Sequence, residues 1–187
     1  GADAIVVQGI EAGGHRGTFI AENAQENSIG LFSLLPAVAD ALDIPIIAAG
    51  GIADGRGMAA ALLLGASAVQ VGTGFLRSPE AKIPKVWAEA MNKSLPEDTV
   101  ATRAFSGRLG RSLRTKYVID ANSKDAPSPA PYPIQRHLTQ EMRNNALKSE
   151  NLDGMQAWAG QSAKLALDIP AFEIVTKIWS DTRAILE

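Results

Sequence analysis

The chain has 187 residues, of which 46% are hydrophobic and 20% charged, a composition typical of one globular domain and not of a disordered tail. Its formal net charge of −2 gives no overall positive field, so neither nucleic acid nor an anionic membrane is a predicted partner. The absence of cysteine excludes disulfides, thiolate nucleophiles and cysteine metal sites. The sequence also lacks an apolar run of membrane-spanning length and a signal-peptide pattern, and therefore predicts a cytoplasmic protein.

The first elements form one predicted β-α-β unit. The chain opens at Gly1 without an initiator methionine and enters an apolar run at once, which we interpret as the start of a segment cut from a longer protein. Residues 5–7 and 44–49 are β-branched runs typical of buried parallel strands. Between them, leucine and valine recur at helical spacing over residues 31–42. This order predicts two parallel strands joined by a helix.

A second unit follows directly. Asp54 is a predicted N-cap for a helix over residues 58–64, and Gly65 is the predicted residue after its C-terminus. Residues 68–71 predict a third buried strand. Alternating strands and helices predict an α/β fold with a parallel sheet and right-handed crossovers, covering about three β-α units within residues 1–120.

The remaining segment, residues 121–187, is predicted to be a proline-rich connector followed by a helical tail that packs on the sheet. Before it, Ser78 is a predicted cap of a helix near residues 86–91, and residues 99–105 are predicted to be extended. A polar helix is predicted over 135–147, with a break near Gly154. The last helix has a predicted apolar face made of Phe172, Val175, Ile178, Trp179 and Ile185.

The loop after the first strand, residues 8–17, contains four glycines and His15. Glycine allows positive φ values and a close approach of a ligand, and ligands of α/β folds bind at the carboxyl ends of strands. The loop therefore predicts a site that includes His15. The alternatives are a structural hydrogen bond for His15 and a solvated loop carboxylate for Glu11.

The loops after the second and third strands, residues 49–55 and 72–75, are built from small residues. Backbone N–H groups and a hydroxyl in such loops can surround a phosphate, as they do after the last two strands of a (β/α)₈ barrel, although tight turns alone would use the same glycines. The GxGxxG pattern and the acidic residue of dinucleotide folds are absent. The prediction is a mononucleotide whose phosphate lies at these two loops and whose reactive ring lies near His15.

Three motifs in this order resemble the nitronate monooxygenases, formerly called 2-nitropropane dioxygenases. They are GADAIVVQGIEAGGH at 1–15, AAGGIADG at 48–55 and QVGTGF at 70–75. Pro131-Tyr132-Pro133 and Trp158-Ala159-Gly160-Gln161 extend the resemblance over nearly the whole chain. The set in this order is far more specific than any single motif.

The resemblance implies an FMN-dependent TIM-barrel enzyme that oxidises alkyl nitronates (nitroalkanes) with O₂ to a carbonyl compound and nitrite. It implies that His15 of the Gly13-Gly14-His15 motif is the active-site histidine. An imidazole can accept a proton next to a nitro group or, when protonated, bind an anionic nitronate. The implied cofactor-binding residues are Gln8, Gly13, Gly14, Gly50, Gly51, Gly72, Thr73, Gly160 and Gln161. The substrate partners are a small nitronate and O₂, and no metal is implied.

The chain departs from this family in length. A (β/α)₈ barrel takes about 250 residues, whereas the sequence predicts only the last strands of one and then a tail. The first strand would then be an exposed apolar edge, so we expect weak FMN binding, or inactivity, of the segment alone. The alternatives are an FMN-dependent enoyl-ACP reductase and a non-catalytic flavin- or phosphate-binding fragment, and a homo-oligomer is left open.

Several other residues are weaker candidates. The arginines 108, 111 and 114 recur at a spacing that predicts one helical face, either an anion site or, with higher weight, a solvated surface with salt bridges. His137 has no neighbouring ligand and predicts no metal site. Tyr132 either lines the substrate pocket or simply packs, and Trp158 is predicted to anchor the tail. No serine, Ser106 included, lies in a nucleophile-elbow context.

Overall fold

The computed structural model describes all of residues 1–187 and contains two separate three-stranded sheets and seven α-helices. In chain order the elements are β1 (Ile5–Gln8), β2 (Gly14–His15), α1 (Leu31–Ala39), β3 (Ile46–Ala49), α2 (Gly55–Leu63), β4 (Ala68–Gln70), α3 (Lys85–Lys93), β5 (Thr99–Thr102), β6 (Gly110–Leu113), α4 (Lys116–Ala121), α5 (Ile134–Leu138), α6 (Gln140–Lys148) and α7 (Ala171–Leu186).

The first sheet has the order β1-β3-β4 and is parallel throughout, which confirms the predicted β-α-β-α-β organisation. Leu35 of α1 and Ala48 of β3 are fully buried in the core between helices and sheet. As predicted, the Asp54 carboxylate caps α2 by accepting a hydrogen bond from the Gly57 N–H at 3.1 Å. Gly65 ends that helix with φ +101°, a backbone conformation that favours glycine.

The prediction that the third strand is buried was wrong. Ala68 and Gln70 of β4 are exposed, because β4 is an edge of the sheet and only β3 has a neighbour on both sides. The other edge, β1, exposes Ile5 and Val6, as the sequence predicted for a first strand without a partner. An apolar pattern therefore indicated strands but not which of them lies inside the sheet.

The second sheet is antiparallel, with the order β2-β6-β5, and joins the glycine-rich loop to the second half of the chain. Its strand β6 includes Arg111, so the arginines 108, 111 and 114 do not share a helical face, and that prediction was wrong. The segment that includes Gly107 and Gly110 is rich in polar residues, yet it forms a turn followed by β6. The strand forms because β6 pairs with β2 on one side and with β5 on the other. The predicted extended segment 99–105 is a strand only over β5.

The tail contains the predicted helices, but of the predicted apolar face of α7 only Ile178 is buried, and the rest of that prediction was wrong. Its buried line is Ile174, Ile178 and Thr182, spaced by four residues, and it lies on α2 where Gly55 allows close approach. Of the predicted face, Phe172, Val175, Trp179 and Ile185 are exposed.

Ser78 caps no α-helix, since a short 3₁₀ turn follows it and α3 begins only at Lys85. None of the helices is both long and apolar enough to cross a membrane.

Candidate active site

The three strand-end loops and the tail meet at one polar pocket of about 100 Å³. Of the predicted cofactor-binding residues, the pocket is lined by Gln8, Gly13, Gly50, Gly51, Gly72, Thr73 and Gly160. The loops meet because β1, β3 and β4 are parallel neighbours, so their carboxyl ends lie at the same edge of the sheet. Residues more than 60 positions apart in sequence are thereby brought around one small volume.

Glycine makes this pocket accessible to a ligand. Gly50 and Gly51 have φ values of +116° and +70°, which a side chain would strain. The N–H groups of both residues, and that of Gly72, donate to no protein acceptor. A Cβ on Gly72 would meet nothing within 4 Å, so this position faces open space. The glycines of the pocket therefore leave backbone donors free, which suits a phosphate group, and Glu11, Ile52 and Gln70 line the same pocket.

The tail closes one wall of the pocket through Gly160. Its N–H donates to the Thr73 hydroxyl oxygen at 2.9 Å, and a Cβ on Gly13 would lie 2.6 Å from the Gly160 nitrogen. The Thr73 hydroxyl keeps its own proton for a ligand. Gly14 and Gln161 do not line the pocket, and the Gln161 N–H donates to the Glu11 carbonyl at 2.9 Å. Ser162, which the sequence analysis missed, lines it instead.

Two buried arginines hold the glycine-rich loop in shape. Arg16 donates to the carbonyls of Gly9 and Ala12 at 2.6 and 2.7 Å. Arg111 donates to the carbonyl of Ile10 at 2.9 Å. Burial lowers the pKa of Arg16 to about 10, with a further contribution from the charge of Arg111. The expectation of a solvated face or salt bridges was wrong for Arg111, which is buried and donates to the backbone carbonyls of Ile10 in the loop and Thr99 in β5.

Glu11 is also not the solvated carboxylate that was considered as an alternative. Its carboxylate oxygens accept hydrogen bonds from the Leu31 N–H at 2.9 and 3.1 Å, at the first residue of α1. A carboxylate at a helix N-terminus satisfies a free backbone donor and is favoured by the helix dipole. Glu11 thus joins the glycine-rich loop to α1.

His15 lies on β2, next to the pocket, and is surrounded by three side chains from distant parts of the chain. Its Nε2 lies 2.7 Å from the Ser106 hydroxyl oxygen. Its ring makes edge contacts with Trp158 and Tyr132, at centroid distances of 5.2 and 6.1 Å. Gln8 supports the same loop, since its amide nitrogen donates to the His15 carbonyl at 3.0 Å. Trp158 therefore contacts the predicted catalytic ring as well as anchoring the tail.

The surroundings of His15 favour the neutral imidazole. Partial burial, followed by the positive charges of Arg108 and Arg136, lowers its pKa below the ordinary 6.5. Between the lowered pKa and 6.5 the unfolded chain binds more protons than the folded one. The contribution of His15 therefore makes the folded state less stable as the pH falls through 6.5.

We expect the NMR titration midpoint of His15 to lie below 6.5 and to rise in Arg108→Gln, because that substitution removes a positive charge. The ring proton signals of the chain's two histidines can be assigned with His137→Gln, which leaves a single histidine. A midpoint at or above 6.5 in the unmodified chain would contradict this electrostatic account.

Tyr132 reaches His15 because the proline-rich connector packs directly on the turn at Gly107. Gly107 has φ +79°, and a Cβ there would lie 2.2 Å from the Ala130 carbonyl oxygen and 2.6 Å from the Tyr132 nitrogen. The Tyr132 side chain remains half-exposed. Only a glycine at this position allows the connector to approach so closely.

Gly107→Ala is expected to lower the free energy of unfolding by at least about 2 kcal/mol, since it combines backbone strain with a clash against backbone atoms. Gly14→Ala is the matched control, because Gly14 has φ +76° but open space where its Cβ would be. Urea unfolding of the three proteins would measure the difference. Equal losses of unfolding free energy in both variants would show that the clash with the connector does not contribute to the destabilisation of Gly107→Ala.

The sequence analysis missed Ser106 as a partner of His15. It lies 91 positions from the histidine, and no local pattern marks it. The only available signal was the Ser106-Gly107 pair itself, which indicated a turn.

Comparisons with known proteins identify the family of this chain. The family model described as nitronate monooxygenase matches residues 1–181. A probable nitronate monooxygenase of Staphylococcus aureus is 41% identical over all 187 residues, which make up 52% of its length. The chain thus spans about half the length of the curated relatives it matches.

Two solved structures are similar over the whole chain. A nitroalkane oxidase from Streptomyces ansochromogenes superposes with a TM-score of 0.90 at 40% identity, and the chain covers 54% of it. FabK from Thermotoga maritima superposes with a TM-score of 0.78 at 35% identity, and the chain covers 56% of it.

Proposed function

Since this chain belongs to the nitronate monooxygenase family, we propose that it carries the FMN phosphate site and the active-site histidine of an enzyme that oxidises alkyl nitronates with O₂ to a carbonyl compound and nitrite. The observation that carries the proposal is that His15 lines a cavity that shares Gln8, Ala49 and Gln70 with the glycine-lined pocket at the carboxyl end of a parallel sheet. On this proposal, β1, β3 and β4 are consecutive strands of a TIM barrel.

The residues of the pocket fit FMN. Gly50, Gly51 and Gly72 would hold its phosphate with their free N–H groups, and Thr73 with its hydroxyl. Gly13 and Gly160 have no side chains, so the two backbone segments that carry them pack closely together at one side of the proposed phosphate site. When bound, FMN supplies the electron acceptor for substrate oxidation. Gln8 and Gly14, on the path from this pocket to His15, are proposed to face the flavin.

His15 is the proposed base. Its lowered pKa keeps the imidazole neutral at neutral pH, so a lone pair is available to take the proton next to a nitro group. The positive charges of Arg108 and Arg136, which lower the pKa of His15, are proposed to favour the resulting anion. Tyr132 and Trp158 present apolar surface around the imidazole, and they are proposed to bind the alkyl part of a small substrate.

Nitrite release from ethylnitronate in air, measured with FMN-supplemented chain, tests this activity. Because the exposed edge of β1 predicts weak FMN binding by this segment, the assay uses saturating FMN, and under that condition we expect nitrite to accumulate in proportion to the O₂ consumed. The chain without FMN is the control for spontaneous nitronate oxidation. Nitrite formation no faster than in that control would contradict the proposed activity for this chain.

The similarity to FabK favours a second candidate, an FMN-dependent enoyl reductase. That activity requires electrons from a reduced pyridine nucleotide, whereas nitronate oxidation does not. Anaerobic mixing separates the two, because loss of the visible flavin absorbance with NADH alone indicates a reductase and loss with ethylnitronate alone indicates nitronate oxidation. Saturable FMN binding without either response would favour the third candidate, a non-catalytic flavin-binding segment.

A further inference from the structure

The buried hydroxyl of Ser106 is the hydrogen-bond partner of one imidazole nitrogen of His15. Ser106 is completely buried in the turn between β5 and β6, and its Oγ lies 2.7 Å from Nε2 of His15. No protein group hydrogen-bonds to Nδ1 of the same ring. The two nitrogens of His15 are therefore not equivalent, and the serine determines the difference.

The hydrogen-bond partners around Ser106 Oγ favour one position for its proton. The Arg108 carbonyl lies 3.2 Å from Oγ and can accept the hydroxyl proton, while the Arg108 N–H donates to Oγ from 3.3 Å. If Oγ–H binds the Arg108 carbonyl, an Oγ lone pair accepts the proton of His15 Nε2, and every one of these donors is satisfied. If Oγ–H binds Nε2 instead, the Arg108 carbonyl loses its only hydrogen-bond donor within the chain.

The turn that carries Ser106 is held from both sides, so the serine is fixed in place. Before it, the Phe105 carbonyl accepts from the Thr139 hydroxyl at 2.7 Å, and the Ala104 carbonyl accepts from Gln135 at 2.8 Å. After it, the Gly107 N–H binds the Arg103 carbonyl at 2.8 Å. Gln135 of α5 and Thr139, between α5 and α6, thus hold the turn on which the serine lies.

From this geometry we infer that Ser106 is a positioning residue that holds the proton of neutral His15 on Nε2 and leaves the lone pair on Nδ1, the nitrogen that accepts the substrate proton. The inference rests on the proposed function only for the role of Nδ1. The tautomer itself is a property of the chain. Besides Ser106, the groups facing the ring are Tyr132, Trp158 and the charges of Arg108 and Arg136, and neither aromatic side chain hydrogen-bonds to it.

Long-range ¹H–¹⁵N correlation spectra of the imidazole rings test the tautomer directly, because protonated and unprotonated ring nitrogens have different ¹⁵N shifts. At a pH where His15 is neutral, we expect the unmodified chain to populate the Nε2–H form. In Ser106→Ala the ratio of the two tautomers should fall roughly fivefold, the change expected for one ordinary hydrogen bond. The signals are measured in the His137→Gln background so that only His15 contributes.

Ser112→Ala is the matched control, because Ser112 is equally buried but donates to the Leu113 carbonyl and does not contact His15. It should leave the tautomer ratio unchanged. A dominant Nδ1–H form in the unmodified chain would overturn the inference even if Ser106→Ala failed to fold. An unchanged ratio in folded Ser106→Ala would overturn it as well.

Turnover separates this inference from the proposed function. We expect Ser106→Ala to lower kcat for neutral nitroethane about fivefold or more, and to lower it less for ethylnitronate, which has already lost the proton. An equal loss for both substrates would contradict the assigned role of Nδ1. A chain that shows the predicted tautomer but oxidises neither substrate would contradict the proposed function and leave the positioning of His15 by Ser106 supported.

Discussion

Gly72→Val is expected to weaken FMN binding by this chain at least roughly tenfold, while its Tm stays within about 2 °C of that of the unmodified chain. A Cβ at Gly72 meets nothing within 4 Å and the φ of −104° is ordinary for any residue, so neither backbone strain nor a Cβ clash destabilises the variant. The valine side chain would instead occupy the space of a pocket of only about 100 Å³, where the phosphate is proposed to bind. Flavin fluorescence titration and a thermal melt measure the two quantities.

Two further variants sharpen this experiment. Ser123→Val adds an apolar side chain at an exposed position that does not line the pocket and should leave FMN affinity unchanged. Gly51→Ala, at φ +70°, should lower both the affinity and the stability, since it strains the backbone that presents the free N–H group. If Gly72→Val binds FMN as tightly as the unmodified chain, the phosphate does not bind between these loops.

His15→Asn is expected to lower kcat/KM for neutral nitroethane by about 10² to 10⁴, the usual contribution of a general base. The loss for ethylnitronate should be smaller, because the anion needs no proton abstraction. Asparagine keeps a polar side chain on β2, and His15 does not line the phosphate pocket, so FMN affinity should change little. Nitrite production over a range of each substrate, with FMN saturating, measures both values of kcat/KM.

The unmodified chain is measured at the same pH as His15→Asn. The spontaneous ionisation of nitroethane is then the same in both measurements. If His15→Asn retains full activity on the neutral substrate, the proton is taken by another group. If both substrates lose activity equally, the histidine binds or orients the substrate and does not act as its base.

Local sequence patterns predicted the parallel sheet well because each of its elements is encoded by neighbouring residues. The runs of β-branched residues in β1 and β3, the cap at Asp54 and the glycine at Gly65 are effects of a few consecutive positions. The meeting of the glycine loops could be predicted for a similar reason. Parallel strands bring their carboxyl ends together, so glycines after β3 and β4 had to meet.

The errors fall where the environment of a residue depends on its partners. Arg111 follows a spacing that fits a helix, but strand pairing on both sides of β6 turns its side chain toward the backbone carbonyls of a distant loop. Phe172 and Trp179 follow the amphipathic period of α7, yet contact with the glycine at Gly55 selects a different line of residues for burial. Periodicity reports which residues are apolar and not which neighbour covers them.

The amino-acid sequence by itself determined the class of fold, the glycine loops and the histidine beside them, because these depend on backbone freedom and on short-range periodicity. Only the tertiary structure decided what surrounds that histidine. The contacts of Ser106, Tyr132 and Trp158 with His15 join segments that are about 90 to 140 positions apart in the chain. Contacts at that separation arise from how packed elements meet, which no local run of residues encodes.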